Sequence, residues 1–463
     1  MVGEGEKPKA VIVGGSIAGI SSAHALTLAG WDVLVLEKTT SPPTGSPTGA
    51  GLGLNSFSQQ IINSWLHNSQ QLLHNTTLPL TIDQVPPLFD AQNYIPIQLP
   101  WFFSPKKGLV IILPWQNHAT DSEKKVSCTL TRDESFNFRA AHWADLHGLL
   151  YNALPSNVFL WGHLFLSFHV ADDKGSVIVK AEVLESGKVI EIVGDLLVAA
   201  DGCLSSIRHK YLPHFKLRYS GYCAWRGVLD FSKIENSETI IGMRKAYPDL
   251  GKCLYFDLAS GTHSVLYELL NKKLNWIWYV NQPEPEVKGT SVTMKVNSDM
   301  IQKMHQEAEK VWIPELVKVI KETRDPFLNF IYDSDPLEKI FWDNVVLVGD
   351  AAHPTTPHCL RSTNMSILDA AVLGKCLEKF GAEKVRSALE EYQFIRLPET
   401  SKQVLHARRL GRIKQGLVVP DREPLNPKSA KKEDCEELLQ SNTPFFNDVP
   451  SILASILPQV DCL

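Results

Sequence analysis

Gly14-Gly15-Ser16-Ile17-Ala18-Gly19 lies between an apolar run, Ala10 to Val13, and a small-residue stretch, Ala18 to Ala29; a second apolar run, Val33 to Leu36, ends in Glu37 and Lys38. Against the pattern G-x-G-x-x-G, Gly14 and Gly19 match the first and third glycines, and Ser16 replaces the second with a hydroxyl donor. The first glycine permits a tight turn, the third lets helix and strand approach closely, and the helix N-terminus offers amide donors and partial positive charge to a pyrophosphate. A carboxylate about 20 residues beyond the turn can accept hydrogen bonds from ribose hydroxyls. The stretch therefore reads as a βαβ unit for an ADP moiety, with Gly14, Gly15, Ser16, Gly19, Glu37 and Lys38 as its contacts. NAD and FAD both stay open at this point.

Two later junctions have the same strand-turn-helix form. Ile190 to Ala200 reads as one apolar strand running into Asp201-Gly202, with Arg208 about two helical turns beyond. Val345 to Val348 is a further buried strand, ending in Gly349-Asp350 and followed by Ala351-Ala352-His353-Pro354, a loop, and a helix from about Ser362 to Phe380.

A glycine fingerprint, a mid-chain Asp-Gly and a late Gly-Asp in this order resemble the class A flavin monooxygenases of the para-hydroxybenzoate hydroxylase fold, over roughly residues 8 to 415. The resemblance implies FAD, a long cofactor anchored at both ends. Asp350 would bond the ribityl chain, the helix start at Ser362, Thr363 and Asn364 would face the flavin pyrimidine edge, and Asp201 with Gly202 would support flavin and NADPH. "TGAGLGLNS" and "FNFRAAHWADLHGLL" also resemble flavin contacts of the family; Arg139 is expected to head an amphipathic helix and to touch the flavin. The loop departs from the family's glycine-glutamine-glycine, reading Cys359-Leu360-Arg361-Ser362-Thr363-Asn364, so the residues beside the flavin are bulkier.

"GYCAWRGVLD" and "LNWIWYVNQPEP" resemble segments of dihydroxypyridine monooxygenase relatives. Flat aromatic surface suits an aromatic ligand, so Tyr222, Trp225, Arg226 and Trp278 are the candidate substrate residues. His353 and His358 flank the predicted flavin loop but read as positioning residues. His406, Arg408, Arg409, Arg412 and Lys414 read as a solvated face of a C-terminal helix. No catalytic side chain and no metal site stands out.

These elements imply an α/β chain: a Rossmann-type FAD-binding domain with an interleaved α+β substrate domain and a C-terminal helical segment. The expected parts are FAD-binding stretches at 8–67, 133–216 and 342–415, a substrate-cavity segment with weak secondary structure at 68–132, a substrate domain at 217–341 and a C-terminal tail at 416–463, whose final apolar residues, 449–463, are expected to dock. The 463 residues allow two or three domains. A net charge of -5 without a long basic block argues against nucleic acid or an anionic membrane surface as partner. The 8 cysteines are scattered singly, as reduced thiols would be. The first strand starts close to Met1 and no apolar run reaches a membrane span, so the expected location is the cytoplasm.

The resemblance implies an enzyme that uses NADPH or NADH and molecular oxygen, and acts through a flavin C4a-hydroperoxide to hydroxylate or epoxidise an electron-rich, aromatic or heteroaromatic small molecule. The rivals are a flavoprotein oxidase or dehydrogenase and a non-catalytic FAD-binding protein.

Overall fold

The computed structural model describes residues 7–43, 49–66, 70–81, 117–120, 126–129, 137–172, 175–285, 291–294, 296–358, 361–430 and 433–438. Most of 68–132, loop residues 359 and 360, and the final segment 439–463 lie outside the described residues, so the expectations for the substrate-cavity segment, Cys359 and the docked tail fall there.

A six-stranded sheet forms the first layer. Its order is Phe341–Trp342, Val345–Leu347, Leu196–Ala199, Lys9–Val13, Asp32–Glu37 and Phe159–Trp161, and all neighbours are parallel except the first pair. Ala10, Val11, Ile12, Leu197, Val198, Val345 and Val346 are fully buried, as expected for strands covered on both faces. Helices Ile17–Leu28 and Arg361–Phe380 pack against each other, and their small and branched residues share one core with these strands.

The apolar run Ile190 to Ala200 is not one strand. Lys188–Gly194 pairs antiparallel with Val177–Val183 in a separate three-stranded sheet, and Leu196–Ala199 joins the parallel sheet. Asp195 makes the break: its Oδ2 accepts from the Lys9 amide at 2.7 Å, and its own amide donates to the Lys9 carbonyl at 2.7 Å. Arg139 also differs from expectation. It lies within strand Asn137–His142, which pairs with Gly51–Asn55 and Leu78–Thr81, and the helix begins only at Trp143.

The second layer is an eight-stranded sheet in which Thr293–Met294, Phe327–Asp333, Arg218–Asp230, Lys273–Asn281, Thr262–Leu269, Tyr255–Ala259, Asn117–Thr120 and Val126–Thr129 follow one another. Strand residues alternate faces, and this assigns the aromatics. Trp225, Trp276 and Trp278 share a buried cluster with Ile240, Met243, Met304, Ala308, Leu316 and Ile320 of the helices Glu238–Ala246, Ser298–Val311 and Pro314–Glu322. Ala224, Ile277 and Tyr279 share a different cluster on the opposite face. A 30-residue helix, Val385–Lys414, crosses the molecule with Pro398 inside it.

Candidate functional site

The register of the parallel sheet brings the three motifs together. Val13 is paired with Ala199, and Ala199 with Leu347, so Gly14, Asp201 and Gly349 leave the same end of three adjacent strands. Ligands of open α/β sheets bind at this end. The glycine turn fits its place closely: Gly14 has φ +101°, and a Cβ there would lie 2.3 Å from the Ala200 carbonyl oxygen. At Gly19 a Cβ would lie 1.8 Å from the Gly14 carbonyl oxygen, so only glycine lets the helix start there.

The Ser16 side chain makes no capping bond at the head of helix Ile17–Leu28; its Oγ accepts from Trp143 Nε1 at 3.4 Å. Glu37 Oε2 accepts from the Gly15 amide at 2.8 Å, and Oε1 from the Thr39 amide at 2.9 Å, which holds the strand-end carboxylate against the glycine turn. Lys38 is exposed beside it. His147 Nε2 bonds the Gly15 carbonyl at 2.8 Å from below, and burial lowers the pKa of its imidazole.

Asp201 Oδ2 caps the following helix through the Ser206 amide at 2.9 Å, while its Oδ1 is buried without a partner. Arg208, left out of the sequence-based site, ties this turn to the late one. Its Nη2 donates to the Cys203 carbonyl at 2.5 Å and its Nη1 to the Ala351 and Asp350 carbonyls at 2.8 and 3.3 Å. Burial lowers the Arg208 pKa to about 10.

The Asp350 carboxylate accepts from Ser362 Oγ at 2.7 Å; burial raises its pKa, opposed by Ser362, His353 and Arg208. Beneath the turn is a fully buried cluster. Asp369 Oδ2 accepts from the Gly349 amide at 2.9 Å and lies 2.5 Å from His353 Nε2, and Asp369 Oδ1 accepts from Arg396 Nε at 2.7 Å. Burial alone would raise the Asp369 carboxyl, but His353 and Arg396 hold it below its ordinary value. His353 thus braces the turn from behind.

Asn364 uses both ends of its amide on the neighbouring strand, donating to the Gly53 carbonyl at 2.9 Å and accepting from the Asn55 amide at 3.0 Å. This clasps the helix start to Gly51–Asn55. Arg139 is similarly occupied: Nε donates to Thr77 Oγ1 at 2.6 Å and Nη2 to the Thr77 carbonyl at 2.7 Å, and the residue is not in the wall of the cavity described next.

A cavity of about 420 Å³ opens between the two layers. Gly49 to Gly53, Trp143, Pro357, His358, Ser362 and Thr363 line it from one side, and Arg226, His263, Val265, Tyr267, Ile277 and Tyr279 from the sheet. Of the four expected substrate residues only Arg226 is in this wall. Trp225 and Trp278 are corrected: they point into the helix-covered core because they alternate with Arg226 and with Ile277 and Tyr279 along their strands. Tyr222 is fully buried behind the wall, its hydroxyl 3.5 Å from His358 Nδ1. Lys414 is corrected as well. It is buried, lines the cavity and places Nζ 3.6 Å from the Phe256 ring centroid, whereas Arg408 and Arg409 of the same run pair with Asp333, Asp335, Asp421 and Glu437.

Burial and the nearby Lys414 charge take His263 down to about 3, and burial with His263 and Lys414 takes His358 well below its ordinary value, so both rings are neutral at pH 7. No Asp or Glu occurs among the described lining residues. The wall thus combines apolar and aromatic surface, two neutral imidazoles and two cationic side chains, which suits a flat, electron-rich ligand. Among the described residues no group of His, Cys, Asp and Glu could hold a metal ion, and no helix is long and apolar enough to cross a membrane.

No family model matches the chain. Similarity to curated proteins covers most of it: 6-hydroxynicotinate 3-monooxygenase of Pseudomonas fluorescens is 24% identical over 405 residues, 86% of this chain and 89% of that protein. Among solved structures, 2,6-dihydroxypyridine-3-hydroxylase from Arthrobacter nicotinovorans superposes with a TM-score of 0.68 at 19% identity, over 92% of this chain and 97% of that one. A salicylate hydroxylase substrate complex gives 0.70 at 18% identity, over 99% of each chain. Three motifs converge on one sheet end with a cavity beside them, and along nearly its whole length the chain is similar to monooxygenases of the aromatic-hydroxylase type, whose fold it shares.

Proposed function

We propose that this protein binds FAD noncovalently and, with NADPH or NADH as reductant and O2 as oxygen source, hydroxylates or epoxidises an electron-rich aromatic or heteroaromatic small molecule. The observation that carries the reading is the convergence of Gly14, Asp201 and Gly349 at adjacent strand ends, next to a cavity walled by Arg226, His263 and Tyr279. The residues fit the cofactor: Gly14 and Gly19 keep the turn tight at the strand ends, and Asp201 Oδ1 is a buried acceptor without a protein partner.

In this reading Gly14, Gly15, Ser16 and Gly19 receive the pyrophosphate, Glu37 and Lys38 the adenosine ribose, and Asp201, Gly202, Asp350, Ser362 and Thr363 the ribityl chain and ring. Asn364 and Arg139 act from behind, by holding Gly51–Asn55 and Asn137–His142 in place. Bound FAD supplies the redox chemistry: NAD(P)H, H⁺, O2 and substrate give NAD(P)⁺, water and the oxygenated product. The chain's own work is to orient the ring against the cofactor with Arg226 and the aromatic wall, and to exclude water from the apolar cavity. This accounts for the absence of a nucleophile or acid-base dyad among the motifs.

The deciding experiment is NAD(P)H-dependent oxygen consumption by the purified yellow protein with and without candidate aromatics. Substrate-accelerated consumption with an oxygenated product supports the reading; NAD(P)H oxidation that yields only hydrogen peroxide with every aromatic tested assigns an oxidase instead. Acid precipitation should release the yellow colour into the supernatant, and a protein that takes up no FAD refutes the assignment.

Glu37→Ala should weaken FAD by about one to two decades, the loss of a hydrogen bond to a charged group worth about 1.5–3 kcal/mol. Titration of the apoprotein with FAD measures this. An unchanged affinity would mean that the carboxylate serves only to hold the Gly15 and Thr39 amides.

A further inference from the structure

The wall of the proposed reaction cavity includes His263, whose hydrogen-bonding role is set by residues outside the cavity. The Gln415 backbone carbonyl can only accept, and Asn281 Nδ2 donates to it at 2.9 Å. That fixes the Asn281 amide, so its Oδ1 is the atom that accepts from Gln415 Nε2 at 3.0 Å. The Gln415 amide is fixed in turn, and its Oε1 lies 2.9 Å from His263 Nδ1. Since Oε1 can only accept, Nδ1 carries the imidazole proton, and Nε2 of the neutral ring is a bare lone pair.

This Nε2 is buried and has no hydrogen-bond partner. A half-turn of the ring would break the bond to Gln415, and any smaller turn would break its stack on Tyr279, whose centroid lies 4.4 Å away at an interplanar angle of 14°. A buried acceptor left without a donor is destabilising, and His263 lines the cavity. No described residue supplies the missing donor, which leaves a ligand seated against the His263 ring to supply it.

We propose that His263 is a specificity-determining residue of this cavity: its Nε2 accepts a hydrogen bond from an O–H or ring N–H of the substrate, and the Asn281–Gln415 chain holds it in the accepting form. The inference rests on the reading of this cavity as the substrate site. It restricts the ligand to aromatic rings that carry a donor and excludes their O-alkylated counterparts. The neutral His358 has Nδ1 3.2 Å from Thr356 Oγ1, a hydroxyl that can donate or accept, so this contact does not fix its tautomer.

The test uses the FAD-loaded full chain and a matched pair of probes, 2-naphthol and 2-methoxynaphthalene, titrated by the change in the flavin absorbance spectrum. It is run at about pH 6.5, well below the phenolic range, so that the hydroxyl keeps its proton. Wild-type protein should prefer the naphthol by about tenfold or more. In His263→Phe the preference should fall to within about twofold, whatever the change in the affinity of both probes together.

Gln415→Leu keeps the imidazole but frees its tautomer, so it should also lower the preference, and it decides the matter if the Phe variant does not fold. Equal binding of the two probes by wild type, no binding of either, or a preference that survives in the folded variants overturns the proposal while leaving the FAD assignment intact. A chain that takes up no FAD fails the functional reading instead. The same pair titrated against the tryptophan fluorescence of the chain, to which Trp143 in the cavity wall contributes, then still tests His263.

Discussion

Asp369→Asn should lower the stability of the apoprotein by about 3–5 kcal/mol, the cost of removing one partner from a buried ion pair and leaving the other charge uncompensated. Arg396 is fully buried, and its Nη1 and Nη2 already lack partners, so Asp369 is the described carboxylate that balances it. The double variant Asp369→Asn, Arg396→Met should recover part of the loss, because replacing a buried pair by apolar volume is often neutral. Urea unfolding of the three proteins measures both effects; a single variant within about 1 kcal/mol of wild type would show that the cluster carries little.

The pH dependence has a definite sign. The Asp369 carboxyl is held below its ordinary value in the folded chain, so its contribution is complete above the unfolded carboxylate value near 4 and is lost as pH falls from there through the folded value. The Asn variant should therefore show a shallower loss of stability in acid than wild type.

Asp350→Ala should produce the opposite pattern, with FAD affinity lower by about one to two decades and apoprotein melting near normal. The backbone of the turn survives the change, because Arg208 holds the Asp350 and Ala351 carbonyls and Asp369 holds the Gly349 amide. Removing the side chain also removes a carboxylate that burial disfavours, so the apoprotein should lose little or even gain stability. Substrate-stimulated NAD(P)H oxidation should fall further than affinity does, since a loosely held ring no longer meets the substrate in a fixed geometry. Normal FAD affinity together with a lowered melting temperature would make Asp350 a residue of the fold and not of the cofactor site.

The contrast between these two aspartates shows how far the chain could be read before folding. Gly349-Asp350 is legible because a strand, a turn and a helix follow one another locally. Asp369 lies in mid-helix, where a charged residue reads as solvated, and Arg396 is 27 positions further on. Neither carries a local signal, and only the packing of helix Arg361–Phe380 against Val385–Lys414 joins them. The same holds for Arg208, which reaches across 143 positions to Ala351.

Face assignment separates the two kinds of information again in the substrate sheet. Trp225 and Arg226 are adjacent in sequence, and composition makes both attractive as ligand contacts. A strand sends neighbours to opposite sides, and which side is the cavity depends on where three helices pack. Lys414 fails for a related reason: the periodicity of its helix is polar, but its last turn runs under the sheet beside Phe256 and His263.

By itself the sequence determined what is written in local periodicity and turn chemistry: the βαβ unit at Gly14 to Glu37 and the later Asp-Gly and Gly-Asp junctions, and with them the α/β class; their order carried a family resemblance, and FAD was what that resemblance implied. These are decided within about 30 residues, where apolar runs, helix starts and obligatory glycines sit next to one another. The tertiary structure alone decided that Ile190 to Ala200 divides between two sheets at Asp195, that Arg139 spends its side chain on Thr77 and Asn364 on the backbone of Gly53 and Asn55, and that His263, His358, Tyr267, Tyr279 and Lys414 wall the cavity. Each of these depends on which backbone groups and which sheet face lie opposite, a matter of long-range register and packing that no single stretch of chain encodes.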